Sequence, residues 1–492
     1  MMSNVKFISE LNGSDIGEKC GVFALFLSES DSNFMADYLY RGMLSLQHRG
    51  QESSGFAIYD NIQKKVVLKK EMGLINELFQ KHMSQIPDRA NYAISHIRYS
   101  TAGISAIHNA QPWQSNNLYI AFNGNISNYF LLRERLKDEF KFETDSDTEI
   151  LAKVITKAIE NSKNSTEQLV SLLRDYLKIF YGAYCITILD TTYEKPRLLI
   201  IRDPNGFRPL VLGKKHSSYV IASESCAITG IDFEIVKDVS PGALLILQDN
   251  KISEYKLFDT KRKSFCMFEY VYFSRPDSII ENRNVEVVRE NLGRALGKIA
   301  KKKKIDFDII VPIPDSGRSA AQGLAEVTKK PIREALIKNR YVNRTFIMPS
   351  NEQRKRLISM KLFPIPDLIR GKRIALVDDS IVRGNTMKKI VEIIRNAGAK
   401  EIHLFISCPK IISPCFMGID FPTFNELIAA KMSEEEIAKF LNVDSLIYMD
   451  INNLVKSIGL KKNELCLSCL TGKYTIKIEK EVIEKAKCSS CG

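Results

Sequence analysis

The chain has 492 residues, which at roughly 100–200 residues per domain predicts two or three domains, each able to bury a core. A composition of 45% hydrophobic and 26% charged residues, with 25 Gly and 16 Pro, excludes collagen-like and largely disordered chains. No apolar run reaches the roughly 18 residues of a membrane span, and the net charge of +13 is scattered outside Lys301–Lys304, the pattern of a lysine-rich solvated surface able to steer a phosphorylated substrate. Residues 1–19 contain no continuous apolar stretch of the kind a secretory signal needs, so a cytoplasmic protein is expected. In that compartment the ten cysteines point to metal binding or catalysis rather than to a disulfide scaffold.

In chain order, strands are predicted at GVFALFL (21–27), ESSGFAIYD (52–60), KKVVLKK (64–70), YAISHIRYS (92–100) and NLYIAFNGN (117–125). Two helical stretches follow within 147–178, then strands at AYCITILD, RLLIIRD, SSYVIAS and GALLILQD, which together predict an α+β layered domain. The polar stretch DNKISEYKLFDTKRKS (249–264) reads as a boundary. Beyond it helix and strand alternate from VEVVRENLGRALGKIA through FDIIVPIP, SAAQGLAEVT, KRIALVDD and TMKKIVEIIRNAG to EIHLFISC, which predicts a parallel sheet with crossover helices. The expected division is 1–19, 20–255, 256–455 and a cysteine-rich segment, 456–492.

Two constellations carry chemistry. In IALVDDSIVRGNT (374–386) an apolar strand ends in Asp378 and Asp379, followed by a loop with Ser380, Arg383 and Gly384, and Thr386 opens a helix. Backbone N–H groups of such a loop cradle a phosphate, while the two carboxylates suit ribose hydroxyls and a divalent metal. VPIPDSGRSAA (311–321) supplies a second strand-to-loop turn, and KNRYVNRTFI (338–347) a basic and aromatic loop. At the other end, Cys20 in EKCGVFA precedes LQHRGQESSG, HIRYSTAG, FNGNISN and SDTE. Here Arg98 can fork onto a carboxylate, Asp147 can meet an ammonium, and the Asn123 amide with the Gly124 backbone can stabilise an oxyanion. Recognition of a free α-amino acid and attack on its side-chain amide need those parts.

These motifs, in this order from about residue 18 to 475, resemble the glutamine phosphoribosylpyrophosphate (PRPP) amidotransferases. The resemblance implies an N-terminal-nucleophile glutaminase of αββα fold followed by an α/β type I phosphoribosyltransferase. It implies a propeptide over residues 1–19, with Cys20 as nucleophile and its freed α-amine, of pKa about 7.7–8.0, as base. By the same resemblance Arg98 and Asp147 grip glutamine, Asn123 and Gly124 form the oxyanion hole, and His48 and Arg49 organise the site. Asp378 and Asp379, with Ser316, would bind the PRPP ribose and Mg²⁺, and Ser380, Arg383, Gly384 and Thr386 the 5′-phosphate. Lys338, Arg340, Tyr341 and Lys361 would lie on a loop that closes over pyrophosphate. Asn385 departs from the hydroxyl or small residue usual in the family.

The reaction so implied is glutamine + PRPP + H₂O → 5-phosphoribosylamine + pyrophosphate + glutamate, the committing step of purine synthesis, with ammonia passed between the sites. The resemblance further implies a homotetramer inhibited by purine nucleotides, with no nucleic-acid or membrane partner. Cys266, Cys415, Cys466 and Cys469 resemble the ligands of a [4Fe–4S] cluster in one branch of the family; zinc is the chemical alternative. Cys488 and Cys491 form a second CxxC that the family pattern does not explain. A PRPP-sensing regulator that binds nucleic acid is the competing reading, and it has no need of the glutaminase constellation.

Overall fold

The computed structural model describes residues 20–99, 106–339, 362–419 and 423–487. Arg340, Tyr341, Lys361, Cys488, Cys491 and the expected propeptide lie outside the described residues.

The first half is built on two antiparallel sheets. One has seven strands in the order Glu234–Asp238, Val211–Lys215, Ser218–Ala222, Gly21–Phe26, Ala90–Arg98, Ser53–Asp60, Lys65–Met72. The other has six: Lys251–Lys256, Ala243–Gln248, Arg197–Arg202, Gly182–Asp190, Leu118–Ile126, Trp113–Ser115. Successive side chains of a strand point to opposite faces, and in the central strands both faces are buried. Val22 and Ala24 join Ala121, Ile200 and Leu245 between the sheets, whereas Phe23 and Leu25 point outward under the helix Met35–Ser45. On the opposite outer face the helices Asp147–Asn161 and Thr166–Leu177 cover Ile120, Ile186 and Leu199. The layers are therefore αββα, as expected.

Two features differ from the sequence reading. The helices over the first sheet, Met35–Ser45 and Ile75–His82, add to the two expected at 147–178. The polar stretch after 249 contributes a sixth strand, Lys251–Lys256, which pairs with Ala243–Gln248. Its residues are exposed or half-buried because it is an edge strand, and an edge tolerates the lysines that a central strand excludes.

The second half carries a four-stranded parallel sheet in the order Ile309–Pro312, Arg373–Asp378, Glu401–Ile406, Ser445–Tyr448. The helices Val285–Lys302 and Gly317–Thr328 pack so closely that a Cβ at Gly293 or Gly323 would collide with the other helix's backbone. The predicted α/β alternation is present, and its core runs from Phe265 to Leu470. A smaller cluster joins the halves: Ala183 and Phe207 of the first meet Phe416, Met417 and Cys466 of the second, with Val482 and Ala486 of the final helix Lys480–Lys487. Among the described residues no helix is long and apolar enough to cross a membrane.

Candidate active sites

Cys20 stands immediately before the strand Gly21–Phe26, whose neighbours are Ala90–Arg98 and Ser218–Ala222. Its thiol is 3.3 Å from the Tyr99 carbonyl and 3.5 Å from the Tyr99 nitrogen, and Arg49 Nε donates to the Cys20 carbonyl at 3.1 Å. The strand Leu118–Ile126 of the second sheet brings Asn123 and Gly124 toward the same edge of the sandwich. The Asn123 amide donates to Ser223 Oγ at 3.2 Å, and that hydroxyl accepts from the Val22 nitrogen at 2.9 Å, so the amide is tied to the nucleophile's own strand. A Cβ at Gly124 would collide with the Ala183 carbonyl of the adjacent strand, which requires glycine there for space alone.

Arg98 ends its strand buried and ion-paired to Glu52. Asp147 opens the helix Asp147–Asn161, capped by Ser146, and accepts from the Ile126 nitrogen at 3.1 Å. Burial raises its carboxyl to about 6, against the opposing pull of the Arg98 charge. A buried carboxylate near a buried guanidinium suits the two ends of an α-amino acid. His48 and Arg49 both face Glu224, a residue the sequence reading missed, as it missed Glu52. Glu52 was within reach of sequence reasoning, since it directly follows the QHRGQ segment. Glu224 had no local signal.

At the second constellation the strand Arg373–Asp378 ends at the acid pair and the helix Asn385–Asn396 begins six residues beyond it. Gly384 caps that helix with a φ of 80°, a left-handed conformation that favours glycine. Ser316 Oγ lies 3.4 Å from Asp378, the Asp379 nitrogen donates to Asp378 at 2.9 Å, and Ser380 bonds to Asp379. Burial and the neighbouring charge of Asp379 push the Asp378 carboxyl well above its ordinary range, and burial raises Asp379 as well. Two buried acids that repel each other suit a cation or a set of hydroxyl donors. Arg383 pairs with Glu426 at 2.9 Å, and Lys338 with Asp315, the residue before Ser316, at 3.0 Å. Thr386 is buried in the first turn, whereas Asn385, the departure from the family pattern, is exposed.

Comparison with known proteins draws the two sites together. Residues 96–230 match the glutamine amidotransferase domain family and residues 284–414 the phosphoribosyl transferase domain family. The amidophosphoribosyltransferase of Methanocaldococcus jannaschii is 41% identical over 485 residues, covering 94% of this chain and 99% of that protein. That of Bacillus subtilis is 39% identical over 487 residues, covering 97% and 98%. The chain belongs to the amidophosphoribosyltransferase family. The solved structure of the B. subtilis glutamine PRPP amidotransferase complexed with ADP and GMP superposes with a TM-score of 0.84, over 94% of this chain and 98% of that one. The αββα and α/β halves are thus the glutamine amidotransferase and phosphoribosyltransferase domains of an amidophosphoribosyltransferase.

In this amidophosphoribosyltransferase the four cysteines singled out by sequence line one cavity, together with Phe207, Phe268, Phe416 and Tyr474. Cys266 and Cys466 are paired residues of two short parallel strands, Phe265–Cys266 and Leu465–Cys466. The Cys469 carbonyl accepts from the Ile412 and Ser413 nitrogens at 2.9 and 3.0 Å, which holds the segment leading to Cys415 against the CxxC. Burial pushes the Cys266 thiol up to about 12 and raises Cys466 and Cys469, with the other sulfurs of the set adding to each shift. Among the described residues no group of three or more His, Cys, Asp or Glu converges closely enough for a single metal ion. Four thiols lining one apolar cavity are the donor set that a [4Fe–4S] cluster takes, and also one that zinc takes.

Proposed function

We propose that the two sites run one reaction in which glutamine and PRPP become 5-phosphoribosylamine, pyrophosphate and glutamate. The observation that supports it most is a buried amino-acid-binding set around Cys20 and a phosphate loop with an acid pair within one chain. In the first step the Cys20 thiol attacks the side-chain amide carbon of glutamine. The freed α-amine takes the thiol proton and returns it to the departing ammonia. The Asn123 amide and the Gly124 N–H receive the charge that develops on the carbonyl oxygen. Arg98 holds the α-carboxylate and Asp147 the α-ammonium, and water then releases glutamate.

In the second step ammonia attacks C1 of PRPP as pyrophosphate leaves. Ser380, Arg383, Gly384 and Thr386 hold the 5′-phosphate, and Asp378 and Asp379 orient the ribose hydroxyls. Mg²⁺, when held at Asp378, Asp379 and Ser316, supplies neutralisation of the leaving pyrophosphate. Lys338, paired with Asp315 next to Ser316, would help hold the pyrophosphate. The test is a stoichiometric assay on purified protein. One glutamate and one pyrophosphate per turnover are expected, each dependent on both substrates. Glutamate release with no pyrophosphate at saturating PRPP would count against the reading.

The ionisation of Asp147 leads to a pH prediction. The carboxylate must be charged to hold an ammonium, so glutamine binding is expected to weaken as pH falls through about 6. The α-amine must be neutral to accept the thiol proton, which adds a loss below about 7.7–8.0. The logarithm of kcat/KM for glutamine should therefore fall with slope one below that value and slope two below about 6. Asp147→Asn should lose the steeper limb and weaken binding at every pH. An unchanged two-slope profile in that variant would remove Asp147 from the ammonium site.

The cysteine cavity leads to a second prediction. With a [4Fe–4S] cluster on Cys266, Cys415, Cys466 and Cys469, anaerobically prepared protein is expected to be brown and to hold about four irons per chain. Cys469→Ser should lose the iron, while Cys488→Ser should keep it. Fully active, colourless, iron-free protein would overturn the assignment. Purine nucleotides as regulators and a homotetrameric assembly complete the proposal, read by nucleotide inhibition and by light scattering.

A further inference from the structure

Two buried arginines of the first domain, Arg49 and Arg208, converge on one carboxylate that comes from the other domain. Glu269 opens a π-helical turn, Glu269–Phe273, whose neighbours Phe268, Tyr270, Val271 and Phe273 are part of the phosphoribosyltransferase core. Arg289 clasps the turn from behind, donating to the Tyr270 carbonyl at 2.9 Å and the Ser274 carbonyl at 2.8 Å. The carboxylate itself enters the glutaminase domain. Arg49 grips it with both ends of its guanidinium, at 3.1 and 3.0 Å, Arg208 adds a bond at 3.2 Å, and Ser274 Oγ donates at 2.8 Å. Arg49, Arg208, Glu224 and Glu269 are all at most 1% exposed, and their formal charges cancel.

A buried ion network of this size is weak evidence for stability, because desolvation offsets most of the attraction. Its geometry is informative. A bidentate grip fixes the plane of a guanidinium, and the third nitrogen in that plane, Arg49 Nε, donates to the carbonyl of Cys20 at 3.1 Å. That carbonyl carbon is bonded to the Cys20 Cα, whose Cβ bears the thiol. We infer that Glu269 is a positioning residue for glutamine hydrolysis, holding the Cys20 backbone through Arg49, so that the glutaminase site is completed by the phosphoribosyltransferase domain. The inference rests on the reading of Cys20 as nucleophile.

The test uses full-length Glu269→Gln and Glu269→Ala. Glu269→Gln keeps the size and one acceptor oxygen but loses the bidentate anion. The kcat with glutamine is expected to fall about tenfold in Glu269→Gln and about a hundredfold in Glu269→Ala, the scale of a misplaced reacting group. The KM for glutamine should stay within about twofold, since Glu269 does not touch substrate, and so should synthesis from added ammonia. Alkylation of Cys20 by an electrophilic diazoketone analogue of glutamine, located by peptide mass, should slow by the same factors. Arg49→Lys keeps the charge in the network, removes the Nε donor, and should show the same split. Unchanged kcat and alkylation in folded Glu269→Gln would overturn the inference. An equal fall in ammonia-dependent and glutamine-dependent activity would reduce Glu269 to holding the domains together. Alkylation at a residue other than Cys20 in the unmodified protein would instead sink the nucleophile reading.

Discussion

With Cys20 replaced by alanine or serine, glutamine-dependent synthesis is expected to drop by a factor of about 10⁴ or more, while synthesis from added ammonia persists. The thiol is hydrogen-bonded to the Tyr99 backbone, and the serine variant changes one atom, so the fold should tolerate it. The selectivity follows from the architecture. Cys20 belongs to the two-sheet domain, whereas Asp378, Asp379 and their loop sit on a parallel sheet with its own hydrophobic core. Parallel assays of glutamate and phosphoribosylamine formation read the split. A folded Cys20→Ala protein that binds PRPP yet has lost ammonia-dependent synthesis equally would show that the sites are not separate.

Asp379→Asn should give the opposite pattern. Both glutamine-dependent and ammonia-dependent synthesis are expected to fall by about 10²–10³, because the lost charge serves the ribosyl centre whichever nitrogen source is used. Cys20 should still react with the diazoketone analogue. The same variant should be more stable at neutral pH. Both carboxyls are raised in the folded state, so ionising them above their unfolded pKa costs folding energy that is regained as pH falls. Removing one charge relieves that cost at pH 7, and each kcal/mol relieved is worth about 2–4 °C in Tm for a domain of this size. A melting temperature that falls, with activity intact, would contradict both the site assignment and the electrostatic account.

Such a pair of buried, mutually raised acids breaks local rules in the way functional sites do. The cysteine cavity shares that character, its thiols raised by burial and by one another. The network around Arg49 differs because its charges already cancel, which is why it serves to position rather than to bind.

Much of this was legible in the sequence because it is local. Short apolar runs such as GVFALF and YIAFNGN, already long enough for strands, became Gly21–Phe26 and Leu118–Ile126. The turn after Asp378 and Asp379 is encoded by neighbours within eight positions, Gly384 among them. Cys20, Arg98, Asn123 and Asp147 could be singled out by chemistry alone, yet only the packing of one sheet on the other shows how Asn123 is tied to the nucleophile's strand through Ser223. The edge strand Lys251–Lys256 was hidden because exposure on an edge erases the apolar signal that marks a strand. Glu224 and Glu269 were hidden for a different reason. They lie 175 and 220 positions from Arg49; Glu224 has no local signal, and Glu269, although it sits in the apolar stretch FCMFEYVYF that supplies Cys266, has nothing near it in sequence that names Arg49 as its partner. What selects them is the burial of Arg49 where two domains meet. A guanidinium taken out of water must find its counter-charge in whatever chain the packing brings alongside it, and that is decided only when the two cores close together.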